Sequence, residues 1–346
     1  MRLAANGLQT GRELAAMRTK KRAARKRQRV NWPEPMYLCV LLAAWAIEAQ
    51  VAEQNWMATL LTYLPQWPWA LPLPFLFVAA LYRRNLVGVV CCASAAAVIV
   101  FPLNNFNIAP PRTTAHADVR LMTFNIHGGR QGVDLVAAAI RAAKPDVVCL
   151  QEALAEEGSV DPVPALRLAL PRCTFARAGG IVVVSRFPVG AITARRYADG
   201  RIWRKALDVR LETNGRVIRV LAVHFVTGRL KLQVSIPSIW LDSGETRISQ
   251  AEDVLKWVRE TDLPTIVAGD FNTPARGFAY ARLRSGLRSA FEDAGSGFGW
   301  TYPASHPMLR IDHVFTANGV LALKANVGPA GASDHRPLIC DLVVGR

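Results

Sequence analysis

The chain has 346 residues, 51% of them hydrophobic, and a formal net charge of +16. That length allows one large domain with an appendage, or two domains, and six cysteines lying mostly in apolar runs exclude a disulfide framework as the basis of the fold. The hydrophobic excess is concentrated between residues 36 and 108, and the charge divides into +9 over residues 1–30, −1 over 31–111 and +8 over 112–346, so a uniformly soluble body is excluded as a description of the whole.

Residues 1–30 carry ten Lys/Arg against Glu13 alone, and MRTKKRAARKRQR (17–29) has no apolar periodicity. It reads as a solvated basic tail. Nucleic acid is one partner for such a run; next to a membrane helix, a cytoplasmic anchor facing anionic lipid is favoured. Three apolar stretches follow within residues 31–106: MYLCVLLAAWAIEAQV (36–51), WALPLPFLFVAALY (69–82) and LVGVVCCASAAAVIVFPL (86–103). Crossing a bilayer takes about 20 mostly apolar residues, so each is marginal in length. Their grouping ahead of a separate domain, with Trp32, Trp56, Trp67 and Trp69 at the edges, argues for three membrane helices.

Basic residues set the orientation. The N-terminal tail, and Arg83 with Arg84, belong in the cytoplasm; the LPQW loop (64–67) carries no Lys or Arg and fits outside. Three spans make an integral protein of the inner or plasma membrane with its C-terminal domain outside the cytoplasm. Two spans would return that domain to the cytoplasm.

NIAPPRTTAHA (107–117) has the Pro/Ala/Thr character of a linker, and a globular domain is expected over 118–346. Its strand-like runs are VRLMTFNI, PDVVCLQE, GIVVVSRFP, KALDVRLE, RVIRVLAVHF, PTIVAGDFN, IDHVFTA and PLICDLVV. VDLVAAAIRAAK (133–144) and RISQAEDVLKWVRE (247–260) have helical spacing. The mixture is not a regular alternation and suggests two packed sheets with helices outside.

Several of these runs end or open on a polar residue that an apolar interior disfavours. Asn125, Glu152, His224, Asp270 and Asn272 close strands; Asp312 with His313, and Asp334 with His335, open them. Each alone reads as a turn residue, a cap, a core histidine or an ordinary loop acid. Together they predict one rim of a sandwich, where function concentrates. Such a set of oxygen donors suits Mg²⁺ or Mn²⁺, and no Cys/His spacing suggests zinc.

The motifs TFNIHG, LQE, a strand ending in His, GDFN, IDHVF and SDHRPL occur in an order that resembles the endonuclease/exonuclease/phosphatase superfamily over about residues 118–345. That group includes pancreatic deoxyribonuclease, abasic-site endonucleases, neutral sphingomyelinases and inositol polyphosphate 5-phosphatases. The resemblance implies a four-layer α/β sandwich of two mixed sheets flanked by helices. It implies Glu152 as principal metal carboxylate, with Asn125 and Asp334 helping to hold the metal. It further implies Asp270 and Asn272 positioning water and phosphate, His335 touching the scissile phosphate, Asp312 orienting His335, and His224 as a second phosphate-facing histidine. His127 stands where several branches carry a carboxylate that assists the metal, so the pattern leaves open whether one or two metals bind. His127 and Arg130 are candidate substrate contacts, Arg130 equally a solvated surface residue. His313 reads as structural, and Arg247 and Gln250 as a surface helix face rather than support for the rim.

The function expected is therefore a membrane-anchored, Mg²⁺- or Mn²⁺-dependent phosphoesterase. Nucleic acid is slightly favoured as substrate, since Arg195, Arg196, Arg201, Arg204 and Lys205 could contact backbone phosphates; that region reads equally as a solvated hairpin. A phospholipid or sphingomyelin head group is the alternative, a soluble phosphomonoester the third. A non-catalytic module binding anionic ligands would be expected to lack one of Glu152, Asp270 and His335, and all are present. Besides the bilayer, no protein partner is expected.

Overall fold

The structure is a computed structural model that describes residues 32–110, 116–155, 160–199, 205–227 and 236–345. The basic tail, residues 111–115 of the expected linker, and Arg201 and Arg204 lie outside the described residues. The chain falls into two compact units: residues up to 42 with 69–96, and residues 43–68 with 97–346.

The apolar block forms α1 (Pro33–Val51), α2 (Trp56–Tyr63), α3 (Leu73–Tyr82) and α4 (Leu86–Val98), the last continued by a π turn over Ile99–Leu103. Among the described residues, Pro33–Val51 and Leu86–Leu103 are long and apolar enough to cross a membrane. A third candidate is the pair Met57–Tyr63 and Trp67–Tyr82, bent by 80°. The first half of that pair, however, packs on the globular fold, with Ala58, Thr59 and Thr62 buried. In the smaller unit, Glu34 at the start of α1 lies 3.5 Å from Arg83 after α3.

The larger unit is a mixed α/β fold with two six-stranded sheets flanked by helices. Its strands are β1 (Val119–Asn125), β2 (Val147–Gln151), β3 (Thr174–Ala178), β4 (Ile181–Ser185), β5 (Val189–Arg196), β6 (Lys205–Thr213), β7 (Arg216–His224), β8 (Thr265–Asp270), β9 (Arg288–Ser289), β10 (Asp312–Ala317), β11 (Val320–Val327) and β12 (Leu338–Val344). One sheet has the order β11-β12-β1-β2-β4-β3, the other β9-β10-β8-β7-β6-β5. Among the described residues, β1–β2 and β7–β8 are the strand pairs of the two sheets that run parallel. A parallel pair needs a crossover, usually helical; here these are α5 (Val133–Ala143) and α7 (Ile236–Arg259).

Three apolar layers hold the stack. Leu121, Cys149, Val183, Val209, Val220 and Ala268 are among the residues buried between the sheets. Val136, Ile140 and Leu166, on α5 and α6 (Pro162–Ala169), cover one outer face. Val254, Leu255 and Leu283, on α7 and α8 (Phe278–Arg284), cover the other. Central strands β2, β4 and β8 are buried at every position, which explains their continuous apolar runs.

Candidate active site

The two parallel pairs place their strand ends. Parallel neighbours finish at the same edge, so Asn125 and Glu152 emerge together from one sheet, and His224 and Asp270 from the other. Antiparallel β10 begins where β8 ends, with Asp312 in register with Asp270. The sheets are joined here by Asn125, whose Nδ2 donates to Asp270 Oδ2 at 3.0 Å and to Glu152 Oε1 at 3.2 Å. His224 Nε2 lies 3.7 Å from both of the same carboxylate oxygens.

Asp334 and His335 do not open the last strand as the sequence suggests. They precede β12 in a bend, and Pro337 stands just before the strand. Ser333 Oγ donates to Asp334 Oδ1 and accepts from the His335 backbone N–H, closing a turn after Gly331. It brings both side chains to the rim: His335 Nδ1 is 2.8 Å from Asp312 Oδ2 and its Nε2 is 3.9 Å from Asp270 Oδ2. Asp334 Oδ1 is 3.4 Å from His127 Nδ1. Tyr302 packs its ring on His335 at 4.7 Å.

Asn272 follows Asp270 and folds back on it, its backbone N–H donating to Asp270 Oδ1 at 2.8 Å. His127, Glu152 and Asn272 all have positive φ, of 47°, 54° and 47°. Non-glycine residues adopt this region at a cost and gather at functional sites. Arg130, by contrast, is exposed at the end of the His127 turn. His313 points away, buried, with Nε2 2.9 Å from the Thr273 carbonyl. Burial, helped by Arg310, pushes its pKa down to about 3, so it stays neutral and structural.

The electrostatics are those of crowded acids. Burial, and then the charge of Asp312, push the Asp270 carboxyl well up, against the pull of His335 and Asn125. Burial alone would lower His335, but Asp312, Asp270 and Asp334 outweigh it and hold the imidazole protonated above its ordinary range. Among the described residues, Asp270, Asp312 and His335 each offer a ligand atom within 4.8 Å of the others. Asp312 Oδ1 is buried with no hydrogen-bond partner. Acids outnumber their positive partners here, and an orphaned carboxylate oxygen is costly unless a cation meets it, so the donor set fits a divalent ion.

Arg247 and Gln250 depart from the expected surface face: both are fully buried. Gln250 Oε1 accepts from the Val226 N–H at 3.0 Å, and Arg247 Nε donates to Glu53 Oε1 at 2.8 Å. Sequence reasoning also missed Tyr63, whose hydroxyl donates to the Asn272 carbonyl, and Arg276. The latter donates to the Thr62, Leu64 and Leu103 carbonyls and lies 3.4 Å from Glu48. The available signal was a set of acids, Glu48 and Glu53, in an otherwise apolar block.

Comparison with known proteins agrees with this geometry. The Endonuclease/Exonuclease/phosphatase family matches residues 122–335, more than half of the chain. The chain belongs to that family of phosphoesterases. It is 24% identical over 267 residues to the protein YbhP of Escherichia coli K12, covering 67% of this chain and 99% of YbhP. The family's crystal structure from Beutenbergia cavernae aligns with a TM-score of 0.54 and 23% identity, over 66% of this chain and 72% of that one. TDP2 of D. rerio, solved with a single-strand DNA product, aligns with a TM-score of 0.51 and 18% identity, over 65% and 99%.

Proposed function

We propose that the chain is a membrane-anchored phosphodiesterase that hydrolyses its substrate by in-line attack of water, dependent on Mg²⁺ or Mn²⁺. The observation that carries this reading is the hydrogen-bonded meeting of Asn125, Glu152, Asp270, Asp312 and His335 at one rim. Asp270, whose raised pKa makes it a stronger base than a surface aspartate, takes the proton of the attacking water. His335, held charged by Asp312, donates from Nε2 to a phosphate oxygen. Asn272 steadies the Asp270 carboxylate through its N–H and side-chain amide, and His224 faces the same rim as a second phosphate contact.

For the metal, oxygen donors are preferred by Mg²⁺. Glu152, Asn125 and Asp334 would hold it, and Asp312 could join them through Oδ1 while its Oδ2 stays on His335. A bound divalent ion neutralises phosphate charge and stabilises the transition state.

Nucleic acid is the favoured substrate. Exposed Arg196 on the edge strand β5 pairs with Lys205 at the start of β6. Arg195 is a weaker candidate than its sequence position suggests, because Asp208 at 2.8 Å and Glu260 at 2.6 Å hold it. The D. rerio fold relative with its DNA product agrees with this choice. A phospholipid head group is the second reading, favoured by the packing of the segment between the first two apolar stretches against the site loop.

That packing also holds parts of the apolar block on the globular fold. Arg276 gathers the Glu48 carboxylate of α1, carbonyls at the end of α2 and the Leu103 carbonyl after α4. With three crossings from a cytoplasmic N-terminus, the catalytic domain lies outside.

The test uses the full chain in detergent or nanodiscs with single-stranded DNA, RNA, sphingomyelin, phosphatidylinositol phosphates and bis-p-nitrophenyl phosphate. Mg²⁺-dependent hydrolysis, abolished by EDTA and by Asp270→Asn and His335→Ala, is expected, with DNA or RNA preferred. Hydrolysis unchanged under chelation would overturn the reading; turnover of lipid alone would select the second substrate class.

A further inference from the structure

We propose that Tyr63 is a positioning residue for the active site, so that the segment between the first two apolar stretches is a working part of the catalytic centre and not a tether. This rests on the reading of Asp270 as the base that takes the proton of the attacking water.

Asn272 sits on a tight, positive-φ turn. Its amide Nδ2 donates to the Phe225 carbonyl at 3.1 Å and lies 3.3 Å from Asp270 Oδ2. These contacts hold its side chain and N–H, and Tyr63 Oη holds its carbonyl. A backbone in the left-handed region persists only when its surroundings over-determine it. The Tyr63 hydroxyl thus pins the Asn272 backbone on its carbonyl side, while the N–H of the same residue holds the Asp270 carboxylate at 2.8 Å.

Tyr63 is itself fixed from the catalytic fold. The Arg247 guanidinium lies 5.3 Å from its ring centroid. That cation is wholly buried and is neutralised by Glu53, which is also wholly buried. The second Glu53 oxygen accepts from the Ala279 N–H at 2.6 Å. Gly244 of α7 permits the approach, since a Cβ there would stand 2.3 Å from the Glu53 carbonyl oxygen. Two buried, mutually neutralised charges and a glycine contact make this a specified interface, and it ends on the catalytic loop.

The experiment compares wild type with Tyr63→Phe and Gly244→Ala in the full chain, using Mg²⁺ and bis-p-nitrophenyl phosphate. Amide hydrogen exchange over residues 269–275 is followed alongside. Tyr63→Phe removes one hydroxyl; kcat is expected to fall roughly five- to tenfold with KM little changed, exchange in the loop to quicken, and the unfolding temperature to stay near wild type. Gly244→Ala, which pushes the segment off, should quicken the same amides and lower the unfolding temperature as well. The inference is overturned if Tyr63→Phe leaves loop exchange at the wild-type rate, or if KM rises while kcat holds. Inactivity of wild type itself would strike the phosphodiesterase reading instead, and loop exchange would still decide the role of Tyr63.

Discussion

His335 and Asp312 show what a single contact does at the rim. Asp312 is fully buried, and one carboxylate oxygen lies 2.8 Å from the imidazole while the other has no hydrogen-bond partner. Replacing it with Asn keeps the shape but removes the charge that holds His335 protonated. A general acid or phosphate donor is worth roughly 10²- to 10⁴-fold, so Asp312→Asn should lower kcat by that order with KM changed far less. Steady-state kinetics on a bis-aryl phosphate checks it, and a kcat near wild type would remove His335 from the chemistry. Asn125 acts differently, because its amide bridges acids from both sheets. Asn125→Asp would set a third carboxylate against Asp270 and Glu152, and is expected to weaken folding as well as activity, read by thermal unfolding.

Strands decide which of these residues can meet, and here the limits of sequence reading become visible. The ends of β1, β2, β7 and β8 were legible because a continuous apolar run stops abruptly at Asn125, Glu152, His224 and Asp270. The bend at residues 331–335 was not read, because Asp334 and His335 abut an apolar run that looks like the start of the strand. Nor was Arg247: at helical spacing a charge reads as exposed, and only its long-range partner Glu53 makes burial tolerable. Gly269 carries the pairing itself. A Cβ there would meet the Val223 carbonyl oxygen at 2.0 Å, so Gly269→Ala must part β7 from β8, the two strands that hold His224 and Asp270. A loss on the order of 3 kcal/mol is expected, measurable by denaturant unfolding. Further along the same sheet, Asp208 on β6 takes two bonds from buried Arg219 and one from Arg195. Burial disfavours its charge, but these guanidinium groups outweigh that and hold the carboxyl below its usual range. With the folded pKa depressed, its contribution is complete above the unfolded value near pH ~4 and is lost as pH falls through the folded one. Wild type should therefore lose stability on acidification below that point more steeply than Asp208→Asn, which pays its penalty at every pH.

At the scale of the whole molecule, the expected division at a linker near residue 112 meets a physical obstacle. A chain starting there retains every strand of the two six-stranded sheets and every rim residue, yet loses Glu48, Glu53 and the α2 carbonyls. Arg247 is fully buried and Arg276 is 9% exposed, so both guanidinium groups would be left in the fold without their carboxylates. Removing one partner of a buried pair costs about 3–5 kcal/mol, and two such losses rival the roughly 5–15 kcal/mol by which a domain is stable at all. Residues 112–346 alone are therefore expected to be insoluble or partly unfolded, whereas a chain keeping residues 43–68 is expected to fold. A double substitution that discharges the site, Arg247→Met with Arg276→Met, should recover solubility of the short form, because an apolar replacement of similar length carries no charge to neutralise. Circular dichroism and thermal unfolding of the three proteins decide the matter. A short form that melts cooperatively at the temperature of the longer one would show that the 43–68 segment rests on the domain without supporting it.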